Sequence, residues 1–332
     1  MKPRIAMIGC GGTISTIAAN SLDFIEYPET GRKMEITEIV ARMGDLVSFV
    51  EIEPIAFRAV GSSAIGPTEW VELAHTIDSL SSERADIAGV VILHGTATLE
   101  ETAYFLNLAL SSALPVILVG AQRPFNATGS DAQINLLSAL RAVIDPQCEG
   151  CGVLVVMNDE IHQARDVTKT STYRLHAFKS PDAGPLGMID ADRISILRRP
   201  TRPHTMEAPF AVPERAEELP RVDIAYAYAG SDAAAVEAFV AAGARGIISA
   251  GLAPGMPAIL ERAAMETAAR GGVCIVQASR VGSGRVGHRS YLERQGWIAA
   301  GDLNPQKARI LLMLALAITD DRQSIQEFFD RY

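Results

Sequence analysis

Val90-Val91-Ile92-Leu93-His94-Gly95-Thr96-Ala97-Thr98-Leu99-Glu100-Glu101-Thr102-Ala103 reads as a buried strand, a tight glycine turn and the start of a helix. The apolar run suits a strand in the interior of a parallel sheet. The turn sets the hydroxyl of Thr96 at the carboxyl end of that strand, just before the positive end of a helix. Open α/β sheets bind their ligands at such a place, and developing negative charge is stabilised there. Thr98 and Glu101 have capping-box spacing, so the helix is expected to begin at Thr98 with its side chain as the cap. His94 reads as a packed, hydrogen-bonded histidine beside the turn rather than as a member of a catalytic triad.

The same alternation of short apolar runs and longer helical patterns recurs along the chain. Strands are expected at 4–9, 89–93, 115–120, 152–158, 223–227, 246–250 and 273–278, with helices between most of them. The fold class that follows is α/β: a large N-terminal domain with a doubly wound, mostly parallel sheet, and a smaller C-terminal α/β domain. Five prolines fall between Arg198 and Arg221 in a polar stretch without periodicity. The expected organisation is therefore an N-terminal domain at 1–197, a linker at 198–221 and a C-terminal domain at 222–332. The last strong helix is announced by Asn304 as N-cap and Pro305 as first helical residue, with an apolar face from Ile310 to Ile318.

Composition narrows the partners. With 332 residues, 48% of them hydrophobic, the chain can bury a large core, and a formal charge of −9 argues against nucleic-acid or anionic-membrane surfaces. A small molecule is the expected partner, with no nucleic acid and no membrane. Met1-Lys2-Pro3-Arg4-Ile5 runs straight into a strand rather than a signal-peptide core, and no apolar run approaches a membrane span, so a cytoplasmic location is expected. Cys10, Cys148, Cys151 and Cys274 are too few and scattered for a disulfide framework. Cys148 and Cys151 have CxxC spacing, but zinc would need two further ligands nearby, so the pair reads as structural or incidental.

Four places could carry chemistry, each with a plain structural reading beside the functional one. Gly9-Cys10-Gly11-Gly12-Thr13-Ile14 lacks the Lys-Ser/Thr of a phosphate loop and the third glycine of a dinucleotide fingerprint. It is either a tight turn or a close backbone approach that presents Thr13 among exposed amides. Thr96 is the second place. The third is Met157-Asn158-Asp159-Glu160 followed by Thr168-Lys169-Thr170. There, a lysine with few neighbouring carboxylates can lose its proton and act as a base, or simply sit on the surface. The fourth is Gly61-Ser62-Ser63-Ala64, which is either an ordinary turn or a grip for a carboxylate.

Taken together and in order, these segments resemble the bacterial L-asparaginase/glutaminase family. The resemblance rests on Cys10-Gly11-Gly12-Thr13-Ile14, Gly61-Ser62, His94-Gly95-Thr96, Glu100-Glu101-Thr102-Ala103, Val119-Gly120-Ala121-Gln122-Arg123-Pro124, Met157-Asn158-Asp159-Glu160, Thr168-Lys169-Thr170, Ser249-Ala250-Gly251 and Leu303-Asn304-Pro305-Gln306-Lys307-Ala308-Arg309. It runs from the first strand to the last helix. It implies side-chain amide hydrolysis without metal or cofactor. It also implies a homo-oligomer, a dimer of intimate dimers, whose active sites are shared between subunits. The family's threonine nucleophile, which forms an acyl-enzyme, falls on Thr13, and its mobile-loop tyrosine falls on Tyr27. Its second threonine and its lysine fall on Thr96 and Lys169, and the serine that holds the substrate carboxylate falls on Ser62. Gly12, Ser62, Ser63, Ala97 and Arg289 are the residues expected at the substrate.

Several positions depart from what the resemblance implies. The aspartate that binds the substrate's α-ammonium is Ala97, the glutamine after the site serine is Ser63, and the asparagine of the small-domain turn is Pro254. The segment from Gly282 to Glu293, where the family places an acidic residue from a neighbouring subunit, is basic, with Arg285, His288 and Arg289. An ammonium buried without a carboxylate partner is strongly disfavoured. The expected enzyme is an amidohydrolase that acts on a substrate without that group: a dicarboxylate monoamide, a cyclic imide, a lactam or a lactone. Two other readings stay open: an ordinary L-asparaginase in which Ala97 is a tolerated or engineered change, and a non-catalytic small-molecule binding protein on the same fold.

Overall fold

The computed structural model describes all residues from Met1 to Tyr332. The chain separates into two compact units, Met1–Val212 and Pro213–Tyr332. In the first unit the strands are β1 Arg4–Gly11, β2 Thr16–Ile17, β3 Arg32–Lys33, β4 Glu51–Val60, β5 Ile87–Leu93, β6 Val116–Val119, β7 Val153–Met157, β8 Glu160–Gln163, β9 Thr168–Lys169, β10 Phe178–Lys179, β11 Gly187–Ile189 and β12 Ile194–Ile196. Its helices are α1 Tyr27–Thr30, α2 Ile36–Met43, α3 Pro67–Glu83, α4 Leu99–Ala109 and α5 Ala132–Val143.

The strands build an eight-stranded sheet in the order β12-β11-β8-β7-β6-β5-β1-β4, with two small ribbons, β2-β3 and β9-β10. From β7 to β4 the pairings are parallel, while β8, β11 and β12 pair antiparallel. Alternate residues of the central strands, Ile5 and Met7, Val91 and Leu93, Ile117 and Val119, Leu154 and Val156, share one core with Ile39 of α2 and Leu136 and Leu140 of α5. This two-residue period is the pleat at work. After β1 the chain crosses to β4 on one side, and β5 returns to the other side of β1. The carboxyl ends of β1 and β5 therefore flank the point where the winding reverses, which is where such sheets open a crevice.

The antiparallel end corrects one expectation. The strand expected over 152–158 ends at Met157, and Asn158 and Asp159, both at positive φ, 52° and 62°, form the two-residue turn of the β7-β8 hairpin. Primed turns of this kind suit the twist of a hairpin, and asparagine and aspartate tolerate the left-handed region better than other side chains. A second correction concerns the start of α4. Thr98 is its N-cap residue, but the side chain does not cap it: Oγ1 donates to the carbonyl of Ser62 at 2.8 Å. The spacing read as a capping box instead ties two loops together.

The second unit holds β13 Val222–Tyr226, β14 Gly246–Gly251, β15 Cys274–Ser279 and β16 Ile298–Ala299 as a parallel sheet in that order. Its helices are α6 Ala234–Ala241, α7 Ile259–Arg270, α8 Ser290–Gln295, α9 Pro305–Ile318 and α10 Arg322–Arg331. Asn304 caps α9 as expected, its Oδ1 accepting from the backbone N–H of Lys307 at 3.0 Å. The helix is buried nearly all round between the sheet and α10, rather than along one face. No helix of the molecule is long and apolar enough to cross a membrane.

Two glycines show how tightly the crevice is closed. A Cβ on Gly12, at φ 81°, would lie 2.2 Å from the Cα of Gly95, and one on Gly95 would lie 2.7 Å from the Cβ of Ser62. Gly12→Ala is expected to cost more than about 3 kcal/mol in urea denaturation, since backbone clash adds to left-handed strain. Gly284→Ala, at a similar φ of 84° but with nothing within 4 Å, should cost only about 1 kcal/mol. Equal losses in the two variants would show that the close approach adds nothing to the strain.

Candidate active site

Three loops leave the carboxyl ends of β4, β1 and β5 side by side, and they carry Ser62, Thr13 and Thr96. The Gly12 N–H bonds to the Val60 carbonyl at 2.8 Å, which fixes the first two loops to each other. Ser15 Oγ and Thr16 Oγ1 both donate to the Gly12 carbonyl at 2.9 Å, so the turn that presents Thr13 is rigid from both sides. Ser62 is buried, and its Oγ accepts from the Ala97 N–H at 3.3 Å. Ala97 and Ser63 are exposed.

Two side-chain contacts involve the threonines of these loops. Thr13 Oγ1 lies 3.3 Å from the Tyr27 hydroxyl, which burial pushes above the ordinary phenol range while the bond to Thr13 pulls the other way. Tyr27 opens α1, and Asp23 upstream accepts from the N–H groups of Ile25 and Glu26, so the carboxylate shapes the turn and the phenol makes the contact. The second pair is Lys169 and Thr96: Nζ donates to Oγ1 at 2.7 Å. Burial lowers the Lys169 pKa, and the nearby Glu100 opposes that shift. One carboxylate acts on Lys169: Glu100, 5% exposed, whose Oε1 accepts from the Lys169 backbone N–H at 3.2 Å.

His94 is fully buried and structural. Nδ1 lies 2.8 Å from the Gly95 carbonyl, and Nε2 lies 2.9 Å from Thr102 Oγ1, which also accepts from Trp70 Nε1. A carbonyl only accepts, so Nδ1 carries the proton and Thr102 donates to Nε2. The ring pins the turn before Thr96 to α4.

Sequence reading did not identify Asp131 or Asn135. The Asp131 carboxylate accepts from the backbone N–H groups of Gln122 and Arg123, and Asn135 Nδ2 bonds both Asp131 and the Gly120 carbonyl. Asn126 bonds Ala18 through both its amide atoms, which ties this loop to the one leading to Tyr27. Only a Ser-Asp pair before the helix hinted at this role, and such pairs are common.

Arg289 belongs to the second unit, where its guanidinium donates to Gln277 Oε1 at 2.7 Å and contacts Met256 Sδ at 3.2 Å. The four cysteines are buried and unbridged, and burial pushes the Cys148 thiol up to about 12. It is therefore protonated and unreactive at neutral pH.

Two α/β units with hydroxyls gathered at the carboxyl ends of β1, β4 and β5 define a mixed α/β protein with a candidate hydrolytic centre. Residues 4–202 match the family described as Asparaginase, N-terminal, and residues 221–329 match the Glutaminase/Asparaginase C-terminal domain. The chain is 40% identical to L-asparaginase 2 of Bacillus subtilis over 331 residues, covering 99% of this chain and 87% of that one. It is 38% identical to L-asparaginase 2 of Escherichia coli over 332 residues, covering 99% and 93%. The crystal structure of a probable cytoplasmic L-asparaginase from Campylobacter jejuni superposes with a TM-score of 0.95 at 38% identity, covering 100% of both chains. This chain belongs to the asparaginase family, and with it to the hydrolases acting on carbon–nitrogen bonds other than peptide bonds.

The histidine gives the structure a pH signature. In the fold its pKa falls from 6.5 to about 4 because burial disfavours the charged ring. As pH drops the unfolded chain therefore takes up its proton first. The stability that a neutral His94 provides is complete above about pH 6.5 and is lost towards pH 4, by roughly 3 kcal/mol. Thermal unfolding between pH 7 and pH 4 should show a smaller fall in Tm for His94→Gln than for the parent, and parallel curves would place the sensitivity elsewhere.

Proposed function

We propose that this protein is a threonine-nucleophile amidohydrolase whose substrate lacks the α-ammonium of asparagine. The observation that carries the reading is the pair of hydroxyl contacts, Thr13 with Tyr27 and Thr96 with Lys169, beside an exposed methyl at Ala97. In the first half-reaction Thr13 Oγ attacks the amide carbonyl. A phenol whose pKa is raised by burial holds its own proton, so Tyr27 acts as a relay: it takes the Thr13 proton as it gives its own to the leaving nitrogen. In an open-chain amide the C–N bond breaks and ammonia leaves; in a cyclic imide or lactam the same bond breaks and the nitrogen stays tethered to the acyl chain, and in a lactone the ring C–O bond breaks instead, the acyl group in each case staying on Thr13 as an ester.

In the second half-reaction water attacks that ester. Thr96 takes a proton from the water and passes its own to the neutral amine of Lys169, whose burial favours the uncharged form. The ester C–O bond breaks and the proton held on Lys169 returns through Thr96 to the departing Thr13 oxygen, so the acid is released and both the hydroxyl and the neutral amine are restored. The position of Thr96 just before α4 adds the helix's positive end to the oxyanion environment.

The substrate class follows from what faces the nucleophile. Ser62 and the loop amides suit a carboxylate, and Ala97 offers an α-ammonium no charge. Monoamides of dicarboxylic acids satisfy both conditions, and cyclic imides, lactams and lactones satisfy the second, with the first met where the ring bears a carboxylate. The names of the relatives favour a second reading, that of an ordinary L-asparaginase. We also propose a homo-oligomer in the cytoplasm. The family resemblance supports the assembly, and the four buried, unbridged thiols suit a reducing compartment.

Product release from succinamate-type amides, imides, lactams and lactones, compared with L-asparagine, D-asparagine and L-glutamine, tests the substrate. The expected result is at least about a hundredfold preference in kcat/KM for a substrate without the α-ammonium, the scale set by an unpaired buried ammonium. Brisk turnover of L-asparagine at low KM would establish the second reading instead. Thr13→Ala should lower kcat by at least about a thousandfold with Tm unchanged. Undiminished turnover would remove Thr13 as the nucleophile.

A further inference from the structure

We propose that Glu100 is a positioning residue for Lys169, clamping β9 to the first turn of α4 so that the amine reaches Thr96. The proposal deepens the reading above and rests on Lys169 acting in the reaction. The Glu100 carboxylate bonds twice to the segment that carries the lysine: its Oε1 accepts from Thr168 Oγ1 at 3.1 Å and from the Lys169 backbone N–H at 3.2 Å. Lys169 Nζ then donates to Thr96 Oγ1 at 2.7 Å. Thr96 immediately precedes the turn into α4, and Glu100 lies in the first helical turn. One rigid element thus fixes both ends of the lysine: the backbone through Glu100 and the amine through Thr96.

Burial separates this carboxylate from an ordinary first-turn acid. Glutamate is common at a helix start, where the dipole favours it, but it normally stays in water. Glu100 is only 5% exposed, and a carboxylate so placed is tolerated only when it is bonded. Lysine has four rotatable side-chain bonds, so fixing its backbone removes much of the freedom that would take the amine away from Thr96. Glu100 is also the charged group whose field acts on Lys169, and it holds back part of the burial-driven fall in the lysine's pKa. The clamp and the charge are separable. Glutamine retains an acceptor for both bonds and removes the charge, whereas alanine removes both.

The experiment compares full-length Glu100→Gln and Glu100→Ala with the parent, reading kcat and KM across pH together with pH-dependent acylation of Lys169 followed by mass spectrometry. Acylation reports the neutral amine directly and needs no turnover. For Glu100→Gln, we expect kcat within about threefold of the parent. The acid limb of kcat/KM and the acylation midpoint should both move to lower pH by about half a unit or more. For Glu100→Ala, we expect kcat to fall by tenfold or more while KM changes by less than about threefold. A purely structural role predicts a lower Tm with kcat per folded enzyme, pH profile and acylation midpoint all unchanged, and that outcome overturns the proposal. If Glu100→Ala does not fold, the Glu100→Gln midpoint decides alone. Failure of the underlying reading looks different: Lys169→Met would retain full kcat, while the Glu100→Gln acylation midpoint would still report the interaction.

Discussion

The contact between the backbones of Gly12 and Gly95 is the constraint on which this molecule depends. It sits where the winding of the large sheet reverses, between the ends of β1 and β5, and it leaves no room for a Cβ on either side. Because the two turns meet there, Thr13 and Thr96 stand on adjacent loops although they are far apart in sequence. The third loop closes on the same point. The side chain of Ser62 packs against Gly95, its Oγ bonds Ala97, and its carbonyl accepts from Thr98.

Around that contact, polar groups are used in two ways. His94, Asp131, Asn126 and Asn135 are consumed by backbone and side-chain bonds that hold the loops in place. Each would be costly to bury unbonded, and each is bonded. Tyr27 and Lys169 are half-buried and reach hydroxyls rather than carbonyls or carboxylates, which leaves them protons to move. Desolvation shifts both towards their neutral forms, and at Lys169 the nearby Glu100 opposes that shift. The same logic makes Ala97 informative. On the proposed reading, a methyl at Ala97 in place of a carboxylate changes the ligand bound while the Thr13–Tyr27 and Thr96–Lys169 contacts stay in place.

Legibility in the sequence followed the range of the forces involved. The central parallel strands were visible because burial on both faces writes continuous apolar runs, and α9 announced itself through Asn304 and Pro305. The antiparallel strands β8, β11 and β12 were not visible, since strands of three or four residues carry too few positions for a period to show. Thr98 and Glu101 had the spacing of a cap, yet Thr98 found a better partner in Ser62 across the crevice, a case of tertiary contact overriding local pattern. The strand expected to run to Asn158 stops one residue short, because Asn158 and Asp159 form the left-handed pair a hairpin requires.

By itself the sequence determined the α/β class, the places where strands hand over to helices, and the hydroxyl and amine groups available for chemistry. All of these are written in local periodicity, in glycines and in residue type. Only the tertiary structure decided which groups meet: Thr13 with Tyr27, Thr96 with Lys169, and Glu100 beneath the lysine. Those pairings join residues up to 73 positions apart. They depend on the order of strands in the sheet and on the desolvation that packing imposes, and neither is set by neighbours along the chain.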